Sequence, residues 1–185
     1  MIAFWVLLGL IAAIGLYVLL TYNRFVQFKI NVSEAWSDIE VQLKRRYNLI
    51  PNLVETVKGY AAHERGTLEN VVKARNAALK NEGSPAEQAK TENVLSGALR
   101  QLFALAESYP NLKANENFAK LQTDLSMLED EIQKSRRFYN GNVRLNNTLV
   151  EQFPSNLIAR AFTFKSAEFF ELEDAAERAV PKVAF

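Results

Sequence analysis

One short motif in this sequence has residue types that could bind a catalytic metal. His63-Glu64 matches the first half of the His-Glu-x-x-His zinc motif, whose histidines bind the metal while the glutamate acts as a general base. Thr67 occupies the second histidine position, and the chain has 1 histidine in total. Because catalytic zinc requires three protein ligands, we predict no metal here. We expect His63 or Glu64 to bond to a neighbouring side chain instead.

Composition excludes several other kinds of chemistry. The chain has no cysteine, which excludes disulfides, thiol catalysis and thiolate metal ligands. It has no glycine-rich phosphate-binding loop, and its formal net charge of +1 gives no case for nucleic-acid binding. We therefore predict that the protein is not an enzyme and that it has no catalytic residues, no cofactor and no metal site.

A run of cations at Lys44-Arg45-Arg46 has two interpretations. The side chains could contact anionic lipid headgroups. They could equally form a solvated helix face that pairs with Asp38 and Glu40. We favour the solvated face.

The elements that would position these side chains begin with a long apolar segment. Residues 1–22 carry no charged side chain, and the first one is Arg24. A helix needs about 20 apolar residues to cross a hydrocarbon core of about 30 Å, so the segment predicts a transmembrane anchor in the lipid bilayer. A cleaved secretory signal fits less well, because the segment lacks a basic start and a small-residue cleavage site.

Cations near the anchor predict its orientation. Arg24 and Lys29 follow the apolar segment closely, whereas only the terminal amine precedes it. Positively charged flanks favour the cytoplasmic side of a membrane, so we expect the N-terminus outside the cell and the rest of the chain in the cytoplasm.

Helical periodicity continues beyond the anchor. Apolar residues from Phe25 to Leu43 recur at steps of three and four, so the membrane helix is expected to run on into the following domain. Pro51 lacks a backbone donor and clashes with the preceding turn, and we expect it to kink or restart the helix. The next apolar stripe, from Val54 to Ala78, predicts one further helix.

Capping residues and prolines define the remaining helices. Ser84-Pro85-Ala86-Glu87 has the spacing of a capping box with proline at the first helical position, which predicts a helix start. Tyr109-Pro110 should end that helix, because the residue before proline avoids helical geometry. A last long helix is predicted from about Asn115 to Phe153-Pro154.

The last long helix carries a heptad seam whose second half is polar. The apolar half consists of Phe118, Leu121, Leu125, Leu128 and Ile132. The same register continues through Tyr139, Asn142 and Asn146, which we therefore predict to contact another helix. Their hydrogen-bond partners could come from residues 48–52 around Pro51 or from another subunit.

Four aromatic residues follow the long helix. They are Phe162, Phe164, Phe169 and Phe170. They could fold back onto the bundle, which is the interpretation we favour because such rings usually supply buried area. They could instead form a partner surface or a membrane-facing patch.

Besides the apolar segment and Tyr22-Asn23, the chain carries the motifs AWSDIEVQLKRR at 35–46, LIPNLV at 49–54, VKGY at 57–60, His63-Glu64, ESYPNL at 107–112, RFYN at 137–140, Asn146 and Phe153-Pro154. These motifs extend over nearly the whole chain, and together they resemble those of the LemA family of bacterial membrane proteins. The sequence departs from the family at Tyr47-Asn48, where an acidic residue is common.

The resemblance implies an all-α protein with a transmembrane anchor at residues 1–22 and an elongated antiparallel helical bundle at residues 23–185. It also implies a location in the bacterial inner membrane and no established enzymatic activity. We expect a self-oligomerising scaffold with coiled-coil-like contacts. An adaptor for another membrane protein is the alternative, since family members are often encoded near membrane metalloproteases.

Overall fold

A computed structural model describes residues 1–172 of the chain, and residues 173–185 of the expected domain lie outside the described residues. The described part contains six helices and no strand, which confirms the predicted all-α class. The helices are α1 (Ile2–Lys58), α2 (Arg65–Leu79), α3 (Pro85–Ala106), α4 (Pro110–Lys113), α5 (Glu116–Glu151) and α6 (Ser155–Ala161).

The described chain divides into two compact units. Unit 1 contains residues 1–40 and 134–168, and unit 2 contains residues 41–133 together with 169–172. The long helices α1 and α5 each contribute residues to both units.

The apolar segment forms the first part of α1, as predicted. Its most apolar window of 18 residues has a mean hydropathy of 2.6, and none of that window is buried. An apolar helical surface without a protein covering is suited to a lipid environment. By length and composition, α1 is the one helix among residues 1–172 that could cross a membrane.

Helix α1 continues through Pro51, so the predicted restart of the helix at this residue is wrong. Proline has no N–H to donate to the carbonyl of the residue four positions earlier, which is Tyr47. That carbonyl accepts a hydrogen bond from Arg75 Nε of α2 at 3.2 Å. A side chain distant in sequence therefore replaces the missing backbone donor, and the helix does not end.

The predicted single helix between Val54 and Ala78 is interrupted at residues 59–64. The turn has partners from the segment after α3. Tyr109 donates from its hydroxyl to Glu64 at 3.0 Å, and Asn115 donates to the Tyr60 hydroxyl at 2.9 Å. The apolar stripe on both sides of the turn is nevertheless buried. The spacing of the apolar residues therefore predicted the core correctly but did not predict the turn.

Other predicted helix ends are confirmed. Pro85 is at the start of α3, and the Glu87 carboxylate accepts the Ser84 backbone N–H at 3.1 Å. Helix α3 ends before Tyr109-Pro110, and α5 ends just before Phe153-Pro154. The sequence analysis did not identify the short helices α4 and α6.

The contact between Arg75 and Tyr47 leads to a prediction for Pro51. Arg75→Leu should reduce the free energy of unfolding by about 1–3 kcal/mol, because it leaves a carbonyl without a donor. The same substitution should cost clearly less in a Pro51→Ala background, where a backbone N–H can serve that carbonyl. Urea unfolding of the detergent-solubilised chain measures both costs. An equal cost in the two backgrounds would contradict this account of Pro51.

Candidate functional site

The predicted heptad seam of α5 has the expected register. Its apolar positions are buried or half-buried at Phe118, Leu121, Leu125, Leu128 and Ile132. The polar continuation is buried too, with Tyr139 2%, Asn142 9% and Asn146 5% exposed. The seam therefore faces protein along its whole length, including the polar half that lies in unit 1.

Tyr139 occupies the first polar position of the seam. Its ring lies against Trp36 of α1 with centroids 5.4 Å apart, and its hydroxyl donates to the backbone carbonyl of Glu168 at 2.8 Å. Burial disfavours the charged phenolate, and the nearby Glu168 carboxylate disfavours it further. Together they raise the pKa of Tyr139 to about 12.

The segment after α6 supplies a hydrogen-bond partner for one of the two seam asparagines, Asn146. Asn146 donates to the carbonyl of Lys165 at 3.2 Å, whereas Asn142 donates to Phe138 of its own helix at 3.0 Å. Asn147 makes a reciprocal pair with Ala167, at 2.9 and 2.8 Å. Tyr139 and Asn146 thus bond to backbone carbonyls of residues 165–168, and Asn142 bonds within its own helix, so these bonds do not go to residues 48–52 as one of our predictions had it. Asn147, which the heptad register did not single out, is part of this arrangement.

Two of the predicted aromatic residues lie beside the end of the apolar segment. Phe164 stacks on the buried ring of Phe25 with centroids 4.6 Å apart, and it also contacts Tyr22 edge-on. Phe162 contacts Tyr22 with centroids 5.0 Å apart but remains 49% exposed. Folding back is therefore observed for Phe164, while Phe162 keeps an exposed face.

The other two aromatic residues belong to unit 2. Phe170 is fully buried, and Phe169 is 37% exposed. Whether any of the four rings, or the seam residues, contacts a partner protein stays a prediction.

Unit 2 contains a buried charged network that the sequence analysis missed. Lys44 and Arg45 are exposed, as expected of a solvated face, but Arg46 is only 1% exposed, so the prediction was wrong for this residue. A signal was present in the sequence, because Arg46 continues the core register of Ile39 and Leu43 towards Ile50.

Arg46 is bound by two carboxylates. Its guanidinium pairs with the fully buried Glu92 and donates to Glu129, 41% exposed, at 2.7 Å. Tyr47 also donates its hydroxyl to Glu92, and Gln88 donates to Glu92 at 2.8 Å. Burial, and then the negative charge of Glu92, raise the pKa of Tyr47. Three helices, α1, α3 and α5, are thereby joined through one charged cluster.

A cavity of about 400 Å³ lies beside Arg46 within unit 2. Its lining combines apolar side chains such as Phe103 and Leu125 with the charged Arg100 and Glu129. Arg46 Nε is buried and has no hydrogen-bond partner among residues 1–172. The Arg46 guanidinium and the carboxylates of Glu92 and Glu129 are paired with one another, so the cluster joins three helices.

The fold and these two sites define an all-α, membrane-associated protein. A sequence profile of the LemA family matches residues 35–185, and the chain belongs to this family. It is 26% identical to magnetosome protein MamQ 2 of Paramagnetospirillum magneticum, over 86% of this chain and 68% of the relative. It is 27% identical to protein LemA of Metamycoplasma hominis, over 92% of this chain and 80% of that protein.

The buried cluster predicts unequal roles for its two carboxylates. Glu92→Gln should destabilise the fold by about 3–5 kcal/mol, because it removes the buried partner of a buried cation. Glu129→Gln should cost about 1 kcal/mol or less, since this carboxylate is partly solvated. The double variant Arg46→Met/Glu92→Met should regain stability relative to Glu92→Gln. Urea unfolding tests the order, and equal losses for the two glutamates would contradict it.

The raised pKa of Tyr139 predicts a loss of stability in alkali. The unfolded chain has a tyrosine pKa near 10, whereas the folded chain holds the phenol neutral up to about pH 12. Stability from this residue is therefore complete below pH 10 and is lost as pH rises towards 12, by up to about 3 kcal/mol. Tyr139→Phe should flatten the decline in melting temperature between these pH values. An unchanged slope would contradict the assignment to Tyr139.

Proposed function

We propose that this chain is a membrane-anchored, non-enzymatic scaffold of the bacterial cell membrane that assembles through contacts between its own copies. Residues 1–22 anchor it in a single pass, and the cations Arg24 and Lys29 favour a cytoplasmic location for the rest. The anchor and the helix that packs within unit 1 are one continuous element, α1. The helix that anchors the chain in the membrane therefore also forms part of the packed surface of unit 1.

An exposed apolar pair on α5 carries the proposal of self-assembly. Phe138 is 61% and Leu145 is 52% exposed, although both belong to the packed 36-residue helix α5. They are seven residues apart, the spacing at which one helix face repeats. Between them lies Gly141, where an added Cβ would meet nothing within 4 Å. A second helix could therefore approach this face closely.

The hydrogen bonds of unit 1 indicate which residues of α5 are free to contact another copy, the polar seam residues or the exposed apolar pair. Tyr139 and Asn146 bond to the segment after α6 of the same chain, and Asn142 bonds to its own helix. These seam residues support the fold of unit 1, whereas Phe138 and Leu145 are available to another copy. We therefore place the contact between copies on the exposed pair.

The relative from Paramagnetospirillum magneticum is named as a magnetosome protein. By analogy with that name, we propose that this chain too is part of a cellular assembly. An adaptor that presents its helices to a membrane protease would also need an exposed face, but it would not need copies to associate.

Measurement of particle mass in lipid nanodiscs or mild detergent tests the proposal. We expect a discrete homo-oligomer, which Phe138→Glu/Leu145→Glu should convert to smaller species, because acidic residues oppose burial of this face. Val94→Glu/Met127→Glu is the matched control at two residues of unit 2 that are 64% and 61% exposed. It should leave the mass unchanged.

Two outcomes would contradict the proposal. A monomeric wild-type chain would exclude self-assembly and favour the adaptor. An equal loss of mass in the control would show that added acidity, and not the α5 face, causes dissociation.

A further inference from the structure

The α5–α6 corner, which is residues 153–162, lies beside the last turns of the apolar segment. Within unit 1, the buried residues Leu149, Ile158 and Ala159 form a core cluster with Phe25 of α1. Val18 packs against the same cluster, and Tyr22 contacts Phe162. The corner therefore covers α1 from Val18 to Phe25.

The contact with Val18 indicates how deep the corner lies relative to the membrane. The charge-free run of α1 extends to Asn23, and Arg24 is the first charged side chain. Val18 precedes Tyr22 by four residues, which is about 6 Å along a helix axis. If Tyr22 marks the end of the hydrocarbon core, a cluster that touches Val18 reaches the boundary between acyl chains and headgroups.

The side of the corner that faces away from the cluster is apolar and exposed. On this side, Phe153 is 78%, Leu157 is 56% and Phe162 is 49% exposed. On the side that faces the cluster, Ser155, Ile158 and Ala159 are buried. Aromatic and leucine side chains on a short amphipathic element are typical of segments that lie in the membrane interface. Aromatic rings in particular favour that layer.

Charge around the corner agrees with a lipid surface. Residues 18–29 and 149–165 together carry four cations, Arg24, Lys29, Arg160 and Lys165, against the single acidic residue Glu151. Arg24 and Arg160 are exposed, so they can reach headgroups while the apolar residues enter the layer below.

We propose that the α5–α6 corner, residues 153–162, inserts Phe153, Leu157 and Phe162 into the interfacial layer of the phospholipid leaflet from which α1 emerges. The chain then has two membrane contacts, one spanning and one peripheral, that are packed against each other in unit 1. The inference rests on the proposed anchoring of residues 1–22. A lipid occupant follows from continuity, since any protein covering this face at the level of Val18 would itself have to enter the membrane.

Single-tryptophan variants in vesicles containing phosphatidylethanolamine and phosphatidylglycerol test the insertion. The chain has two tryptophans, so Trp36→Phe leaves Trp5 as the anchor reporter. Phe153→Trp in a Trp5→Phe/Trp36→Phe background provides the corner reporter. Phe138→Trp in the same background provides the control reporter, because Trp36 and Tyr139 are in contact and this level of α5 is about 20 Å from Tyr22 along α1.

Lipids brominated on the upper part of their acyl chains serve as quenchers, and iodide serves as the aqueous quencher. We expect the anchor reporter and the corner reporter to lose most of their emission to brominated lipid. The emission of the corner reporter should also be blue-shifted and protected from iodide. The control reporter should keep its emission in brominated vesicles, whether it faces water or a second copy.

Three results would overturn the inference. Quenching of the corner reporter by iodide but not by brominated lipid would place the corner in water. Protection of the corner reporter from both quenchers would indicate a protein covering, and equal lipid quenching of the control reporter would show that insertion is not confined to the corner. A failure of Trp5 to be quenched by lipid would instead refute the anchor itself, and with it the proposed function.

Discussion

The structure depends on a helix that has to satisfy two environments in succession. The first part of α1 exposes an apolar surface, which is suited to a hydrocarbon environment. From Phe25 onwards the same helix buries one face against protein, with Phe25, Ala35 and Ile39 each fully buried. No break separates the two parts of α1. Val18 and Tyr22, near the end of the apolar segment, already contact residues of unit 1.

Polar groups in the two units have different structural roles. In unit 1, Tyr139, Asn146 and Asn147 bind backbone groups of the segment after α6, so these side chains hold a stretch without regular structure against α5. In unit 2, Arg46 and Glu92 join helices to one another, and their burial makes the position of each helix dependent on the others. Such a cluster adds little to the free energy of unfolding, because desolvation of the charges offsets much of their attraction. Its larger effect is to favour a single arrangement of the three helices.

Local signals in the sequence predicted most of the fold. The capping box at Ser84, the proline at position 110 and the heptad seam all act within one or two helical turns, and each was found where it was expected. The errors share a different cause. At Pro51 the Tyr47 carbonyl bonds to Arg75, and residues of the turn at 59–64 bond to Tyr109 and Asn115, all of which are far away in the sequence. For the candidate sites, the seam register identified buried polar residues but not their hydrogen-bond partners. Arg46 was predicted to be solvated because it is charged, although its position in the core register indicates burial.

We propose that this membrane-anchored chain assembles through its own copies, and electron cryo-microscopy of the full chain in lipid nanodiscs would show whether it does. We expect particles with several copies, in which each α1 enters the bilayer and the α5 helices of neighbouring copies meet near Phe138 and Leu145. Particles that contain one copy, or copies that meet elsewhere while Phe138 and Leu145 face solvent, would contradict it.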